Sequence, residues 1–201
     1  MRASLTAQPK IGRFAPSPTG PLHFGSLVAA VASYLEASDG QWLLRIEDVD
    51  RPRAVAGMAA LQQKALQAYG FEWDGAVIQQ SDRDAIYDAA LTKLIEADLA
   101  YPCTCSRSAL AGYPGARTGV DGALVYPGIC RHWQRGDPVP EEAAWRFRVG
   151  GLDAPDWVFV DQVQGTIRQQ LARDVGDFVL RRADGCTTYQ LAVVVDDLAQ
   201  G

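Results

Sequence analysis

Arg13-Phe-Ala-Pro-Ser-Pro-Thr-Gly-Pro-Leu-His-Phe-Gly-Ser26 joins an apolar segment to a helical pattern through a loop that cannot be regular. Ile11 to Ala15 reads as a short buried strand, the prolines forbid regular structure through Gly20, and Phe24 to Ala37 carries a helical pattern. His23 therefore stands at a helix entrance. There, unpaired backbone N–H groups and the positive end of the helix dipole favour a phosphate, and Gly25 lets a nucleotide approach the backbone closely. Ser26 adds a hydroxyl able to donate to a phosphate or ribose. Taken piece by piece, Pro-Ser-Pro-Thr-Gly reads better as a plain turn and His23 as an ordinary surface histidine.

Outward from this stretch, Gln41–Ile46 reads as a second strand, so strand, helix and strand make a βαβ unit with parallel strands and a right-handed crossover. The expected fold class is α/β, half of a Rossmann-like sheet. Ligands of such sheets lie at the carboxyl ends of the strands, where Ser17 and Glu47 emerge. The loop and Arg45-Ile-Glu-Asp-Val-Asp-Arg51 should therefore meet. Ala54 to Tyr69 reads as a second helix ended by Gly70, and Ser81-Asp-Arg-Asp84 as a capping box opening a third helix that runs to about Ala97.

Composition bounds the function class. The 201 residues are 48% hydrophobic and 21% charged, which suits a globular chain able to bury a core. Met1 to Lys10 lacks the apolar run of a signal peptide, and no segment approaches the roughly 20 apolar residues that span a bilayer. A cytoplasmic protein with no membrane partner is expected. A net charge of −5 argues against nonspecific coating of nucleic acid, though a local basic patch remains compatible with one RNA.

From Tyr101 the pattern changes to Cys103-Thr-Cys105, a loop rich in glycine and proline, and Tyr126-Pro-Gly-Ile-Cys130-Arg-His132. Two thiolates one residue apart can grip one ion, and a third thiolate plus one more donor would close a tetrahedral zinc site in a segment with little core of its own. Three reduced cysteines packed as small hydrophobes, or a Cys-x-Cys redox pair, are the alternatives. Cys186 reads as a buried or semi-buried thiol. Beyond the insert, Trp145-Arg-Phe-Arg-Val149 alternates as a half-buried strand, and Trp157–Asp161 followed by Gly165 reads as a hairpin. Asp196-Asp197 reads as an acidic strand end.

His23-Phe24-Gly25-Ser26 resembles the His-Ile-Gly-His signature of class I synthetases with Ser26 in the last position. Together with Arg45-Ile-Glu-Asp, the opening resembles the glutamyl-tRNA synthetase catalytic domain. That resemblance extends from Ile11 to Asp197 and implies a Rossmann-like catalytic domain with a zinc-stapled insert. It places Arg13, Phe14, Ala15, Pro16 and Ser17 along a glutamate pocket, with Arg13 on the side-chain carboxylate, Glu47 on the ammonium and Tyr189 against the amino acid. His23, Gly25 and Ser26 become the catalytic group that handles ATP with Mg²⁺. The short paralogues of the family, which attach glutamate to queuosine in the anticodon loop of tRNA(Asp), use Cys-x-Cys followed by Tyr-x-x-x-Cys. This implies Cys103, Cys105, Tyr126 and Cys130 as structural zinc ligands, with His132 the rival to Tyr126.

The implied activity is ATP-dependent formation of glutamyl adenylate and its transfer to queuosine-containing tRNA(Asp), by a monomer. The alternative is a catalytic fragment of a discriminating glutamyl-tRNA synthetase that charges the tRNA 3′ end. A binding-only descendant would lose the phosphate chemistry, yet His23, Gly25 and Glu47 are retained, and a small-molecule nucleotidyltransferase would lack Arg45-Ile-Glu-Asp. The expected division is 1–100 for the first half of the catalytic domain, 101–140 for the zinc-binding insert and 141–201 for the return to the sheet. The lysines are Lys10, Lys64 and Lys93, so the chain is expected to be truncated before the Lys-Met-Ser-Lys-Ser type loop and a further glutamate-binding arginine.

Overall fold

The computed structural model describes residues 10–119, 122–151 and 153–201. The reading of Met1–Lys10 concerns, Lys10 apart, residues outside that set. The described residues form two compact units, one of residues up to Asp84 together with Asp196–Gly201, the other of Ala85–Val195.

In the first unit, β1 (Ile11–Phe14), α1 (Phe24–Glu36) and β2 (Gln41–Ile46) form the expected βαβ arrangement, followed by α2 (Met58–Ala68) and β3 (Ile78–Gln79). The sheet runs β1-β2-β3, and both pairings are parallel. Phe14, Ala30, Trp42, Leu44, Leu66 and Phe71 make its core. Trp42 lies between Phe14 and Phe71, with ring centroids 6.4 and 5.5 Å away, and Tyr34 meets it edge-on. Burying an indole requires an acceptor for its N–H, which Ser33 Oγ supplies at 2.9 Å. The helix and strand are so close that a Cβ on Gly12 would come within 2.6 Å of Ala37 Cβ and 2.8 Å of Ser33 O.

Two sequence readings are corrected here. The second helix starts at Met58 and not Ala54, because Arg51–Arg53 forms a 3-10 turn and Gly57 takes φ 75°, a left-handed conformation that favours glycine. Ser81 is not a capping residue. Its backbone N–H and hydroxyl both donate to the Asp48 carboxylate, at 2.8 and 2.7 Å. Gln80–Asp82 is accordingly a 3-10 turn, and α3 (Asp84–Glu96) begins after it.

The second unit continues from α3 with β4 (Ala100–Cys103), α4 (Arg107–Ala111), β5 (Arg117–Thr118), β6 (Leu124–Val125) and β7 (Ala144–Phe147). Then follow β8 (Trp157–Asp161), β9 (Gly165–Gln169), α5 (Leu171–Asp174), β10 (Val179–Arg181) and α6 (Tyr189–Gln200), whose last residues belong to the first unit. An antiparallel sheet runs β10-β7-β4, with Pro102 on the edge strand where a missing N–H is tolerated. The predicted hairpin is present as β8–β9, with Trp157, Phe159, Val160 and Val163 exposed.

The alternation expected over Trp145–Val149 is corrected as well. The strand ends at Phe147, and Arg146, the polar position, is the buried one. Its guanidinium lies 4.0 Å over the Tyr126 ring and donates to Asp177 O at 2.8 Å, partners that the apolar pattern does not show. The acidic strand end at Asp196-Asp197 is instead the last turns of α6. The run Val193-Val194-Val195 has strand propensity, but Leu191, Ala192 and Asp196 are buried at helical spacing, and burial outweighs propensity. No helix among the described residues is long and apolar enough to cross a membrane.

Candidate active site and metal centre

The loop after β1 is held by backbone and side chain from three directions. Pro16 O accepts from Glu47 N at 3.0 Å, so the loop and the end of β2 meet as the strand order predicts. Pro18 O accepts from Val55 N at 2.9 Å. From α2, the buried Gln62 donates Nε2 to Ser17 O at 3.1 Å and to Gly20 O at 2.7 Å. No local pattern in the sequence singles out Gln62, since the residues it joins lie 42 and 45 positions away. Pro16 and Pro18 are buried while Ser17 is exposed, and Phe14 belongs to the hydrophobic core and not to a pocket.

His23 is the N-cap of α1. Its Nδ1 accepts from Ser26 N at 3.3 Å, which satisfies one of the helix's unpaired N–H groups. A neutral ring that accepts through Nδ1 carries its proton on Nε2. The exposed imidazole therefore has a donor beside a helix N-terminus, where the backbone dipole already favours an anion. Gly25 has a reason beyond ligand approach: a Cβ there would sit 3.0 Å from His23 Cε1 and 3.1 Å from Nδ1. Its missing side chain leaves room for the imidazole.

Arg13 projects from β1 with Nη1 3.0 Å from Asp197 Oδ1. Its Nε and Nη2 are buried and have no hydrogen-bond partner among the described residues. Those two atoms form one edge of the guanidinium, the edge that grips a carboxylate in bidentate fashion. A buried pair of unsatisfied donors costs free energy until an acceptor arrives, so the geometry is that of a binding group. Glu47, just past β2, is nearly enclosed, with 7% of its side chain exposed, and takes Arg45 Nη2 on Oε1 at 3.0 Å. Burial raises its pKa, Arg45 opposes the rise, and Asp197 and Asp196 add to it. Ala15 lies between Phe14 and Pro16 at the base of the loop, half-buried.

Behind these groups lies a buried ionic network. Arg45 Nη1 donates to Asp197 Oδ1 at 2.7 Å and Gln200 Oε1 at 2.9 Å. Asp196, fully buried, accepts from Arg83 Nε at 2.7 Å and Gln80 Nε2 at 2.8 Å. Tyr189 opens α6 in the second unit and is exposed.

The insert brings together the residues the sequence singles out. The sulfurs of Cys103, Cys105 and Cys130 lie within 4.8 Å of one another, and Cys105 and Cys130 are 3.7 Å apart. The Tyr126 hydroxyl lies 3.3 Å from Cys103 Sγ and 3.7 Å from Cys105 Sγ, and accepts from Cys130 N at 2.8 Å. Ligands at about 2.0–2.3 Å from a tetrahedral zinc stand roughly 3.5–3.8 Å apart, which the Cys105–Cys130 and Cys105–Tyr126 separations match. His132 points elsewhere, its Nδ1 3.0 Å from Ile129 O on an exposed turn. Gly176, with φ 72°, lets the chain pass Tyr126, since a Cβ there would meet Tyr126 N at 2.9 Å.

Burial pushes the Cys105 thiol up to about 11 and the Tyr126 phenol well above its ordinary value. Burial acts the same way on Cys103, but hydrogen bonds from Tyr126 and Arg146 hold it below the usual thiol range.

The chain matches the family model described as "tRNA synthetases class I (E and Q), catalytic domain" over residues 11–201. It is 56% identical over 196 residues to a protein of Dechloromonas aromatica named glutamyl-Q tRNA(Asp) synthetase, covering 96% of this chain and 63% of that protein. A protein of the same name from Chromobacterium violaceum is 55% identical over 193 residues, with coverages of 94% and 62%. The chain thus spans about three-fifths of the length of these relatives. Among solved structures, a glutamate tRNA ligase from Elizabethkingia meningosepticum, in complex with its amino acid, superposes with a TM-score of 0.76 at 29% identity. That match covers 95% of this chain and 42% of the ligase.

Proposed function

Because this chain belongs to the catalytic-domain family of the class I tRNA synthetases (E and Q), we propose that it activates L-glutamate with ATP and transfers it to queuosine in tRNA(Asp). The observation that carries the amino-acid half is Arg13, whose buried bidentate edge has no partner among the described residues, in the same sheet unit as the enclosed carboxylate of Glu47. A guanidinium edge suits the side-chain carboxylate of glutamate, and Glu47 suits the ammonium. The choice of acceptor is supported by the relatives' shared name at 55–56% identity, against 29% for the glutamate tRNA ligase.

In the first step, the α-carboxylate of glutamate attacks the α-phosphorus of MgATP. The bond to the β-phosphate breaks, pyrophosphate leaves, and glutamyl adenylate remains. His23 Nε2–H and the N-terminus of α1, with Gly25 and Ser26, stabilise the charge developing on the α-phosphate. In the second step, a cyclopentenediol hydroxyl of queuosine attacks the adenylate carbonyl, loses its proton, and AMP departs. Residues 101–140 act as the insert, in which Cys103, Cys105, Tyr126 and Cys130 hold zinc. The ion would supply structural cross-linking there, beside the apolar cluster of Tyr101, Leu110, Tyr126 and Trp133.

The test is transfer of labelled glutamate by the complete native polypeptide to tRNA(Asp) with and without queuosine, and with its 3′-terminal adenosine removed. The proposal expects labelling that requires queuosine and survives loss of the 3′ end. Labelling that requires the 3′ end and ignores queuosine would establish ordinary charging instead. Glutamate-dependent exchange of pyrophosphate into ATP in the absence of tRNA should accompany the first outcome.

A further inference from the structure

We infer that Asp197 is a positioning and specificity-determining residue of the glutamate site, acting through Arg13 and Arg45. This rests on the reading of Arg13 and Glu47 as the two groups that hold the amino acid. A single oxygen, Asp197 Oδ1, receives Arg13 Nη1 at 3.0 Å and Arg45 Nη1 at 2.7 Å. Arg45 in turn sets its Nη2 3.0 Å from Glu47 Oε1. The four side chains form one relay, Arg13 to Asp197 to Arg45 to Glu47, in which the sign of charge alternates.

Three consequences follow from that order. A guanidinium is planar, so fixing Nη1 of Arg13 decides which way the Nε/Nη2 edge faces, and those are the two atoms left without a partner among the described residues. The relay also sets the spacing between that edge and Glu47. An amino acid with a carboxylate at one end and an ammonium at the other extends the alternation at both ends and closes it into a ring of six charges. Aspartate, shorter by one methylene, would have to span the same relay with a shorter arm and should bind more weakly. Removing the charge at Asp197 leaves two guanidiniums facing each other with no anion between them, which disfavours the arrangement glutamate needs.

The neighbouring Asp196 has a different task. It is fully buried, its oxygens go to Arg83 and Gln80, and its approach to Arg45 is a looser 4.0 Å. Asp197 is half-exposed, so an isosteric change there is compatible with folding. Gln200 shares Arg45 Nη1 with Asp197 and keeps part of the arginine's anchorage when Asp197 is altered.

The experiment is direct calorimetric titration of glutamate and of aspartate into the complete native polypeptide and its D197N, D197E and R13K variants, alongside pyrophosphate-exchange kinetics and melting temperatures. D197N is expected to weaken glutamate binding about ten- to a hundredfold, the worth of a hydrogen bond to a charged group. KM should rise accordingly, with kcat within about threefold and a cooperative melt retained. D197E, which restores the charge on a longer arm, should recover part of the affinity and show a smaller preference for glutamate over aspartate. Glutamate binding by D197N within about twofold of the unaltered protein overturns the inference, as does a fall in kcat and melting temperature at constant KM. If R13K also binds glutamate normally, the assignment of the site itself is at fault, a result distinct from failure of Asp197 alone.

Discussion

His23 does two jobs with its two nitrogens, capping α1 through Nδ1 and presenting a donor through Nε2. Replacing it with Ala is expected to slow glutamate activation by about two to three orders of magnitude, as loss of one preorganised donor does. The cap is worth only about 1 kcal/mol, so the protein should remain folded, and near-normal exchange rates in folded His23→Ala would remove His23 from the mechanism. Gly25→Ala crowds the imidazole from below and should reduce exchange about tenfold without lowering the melting temperature, a smaller loss than deleting the donor. Glu47 carries a pKa raised chiefly by burial, so the folded state holds its proton more tightly than the unfolded chain. Its stabilising contribution is complete in acid and is lost as pH rises through the folded value. Glu47→Gln should therefore melt higher than the parent at pH 7, with the gap closing below the ordinary carboxylate range, while glutamate binding is lost. Thermal melts across pH 3.5–8 check the sign.

At the scale of elements, what was legible in the sequence followed chain proximity. The strand, loop, helix and second strand of Ile11–Ile46 were readable because apolar spacing, two prolines and a helix entrance are local signals, and Cys103, Cys105 and Cys130 were readable by their spacing. The misreadings have long-range causes. Ser81 resembles a cap until Asp48 takes both its donors, and Val193–Val195 resembles a strand until burial of Asp196 turns it into helix. Arg146 is buried against its pattern because Tyr126 and Asp177 meet it. Gln62 escaped notice and Asp197 was read only as part of an acidic strand end, since their partners lie tens to more than a hundred residues away. Two stability predictions belong here. Asp196→Ala strips Arg83 and Gln80 of a buried acceptor and should cost about 3–5 kcal/mol in chemical denaturation. Gly12→Ala drives a methyl against Ala37 and Ser33 where α1 crosses β1, and should cost about 1–3 kcal/mol.

For the molecule as a whole, the two units have separate apolar cores, Phe14–Trp42–Phe71 in one and Tyr101–Tyr126–Trp133 in the other. If Cys103, Cys105, Tyr126 and Cys130 hold zinc as proposed, a chelator should raise hydrogen exchange in the second unit, at the Cys130 amide that donates to Tyr126 above all, and leave the β1–β2 amides protected. Uniform loss of protection in both units would show that the ion does not act locally. The relay through Asp197 also governs how the protein comes into being. Arg45 is synthesised 152 residues before Asp197, the carboxylate it holds in addition to Glu47. At ribosomal speeds of about 5–20 residues per second, its guanidinium waits roughly 8–30 seconds for that partner. Glu47 meets one edge of that guanidinium two residues on, but Asp196 and Asp197, which complete the buried network around it, arrive only with α6, so β2 keeps an incompletely paired arginine until then. The sheet unit that begins the chain is thus among the last parts to settle, and it is the part a chaperone would have longest to hold.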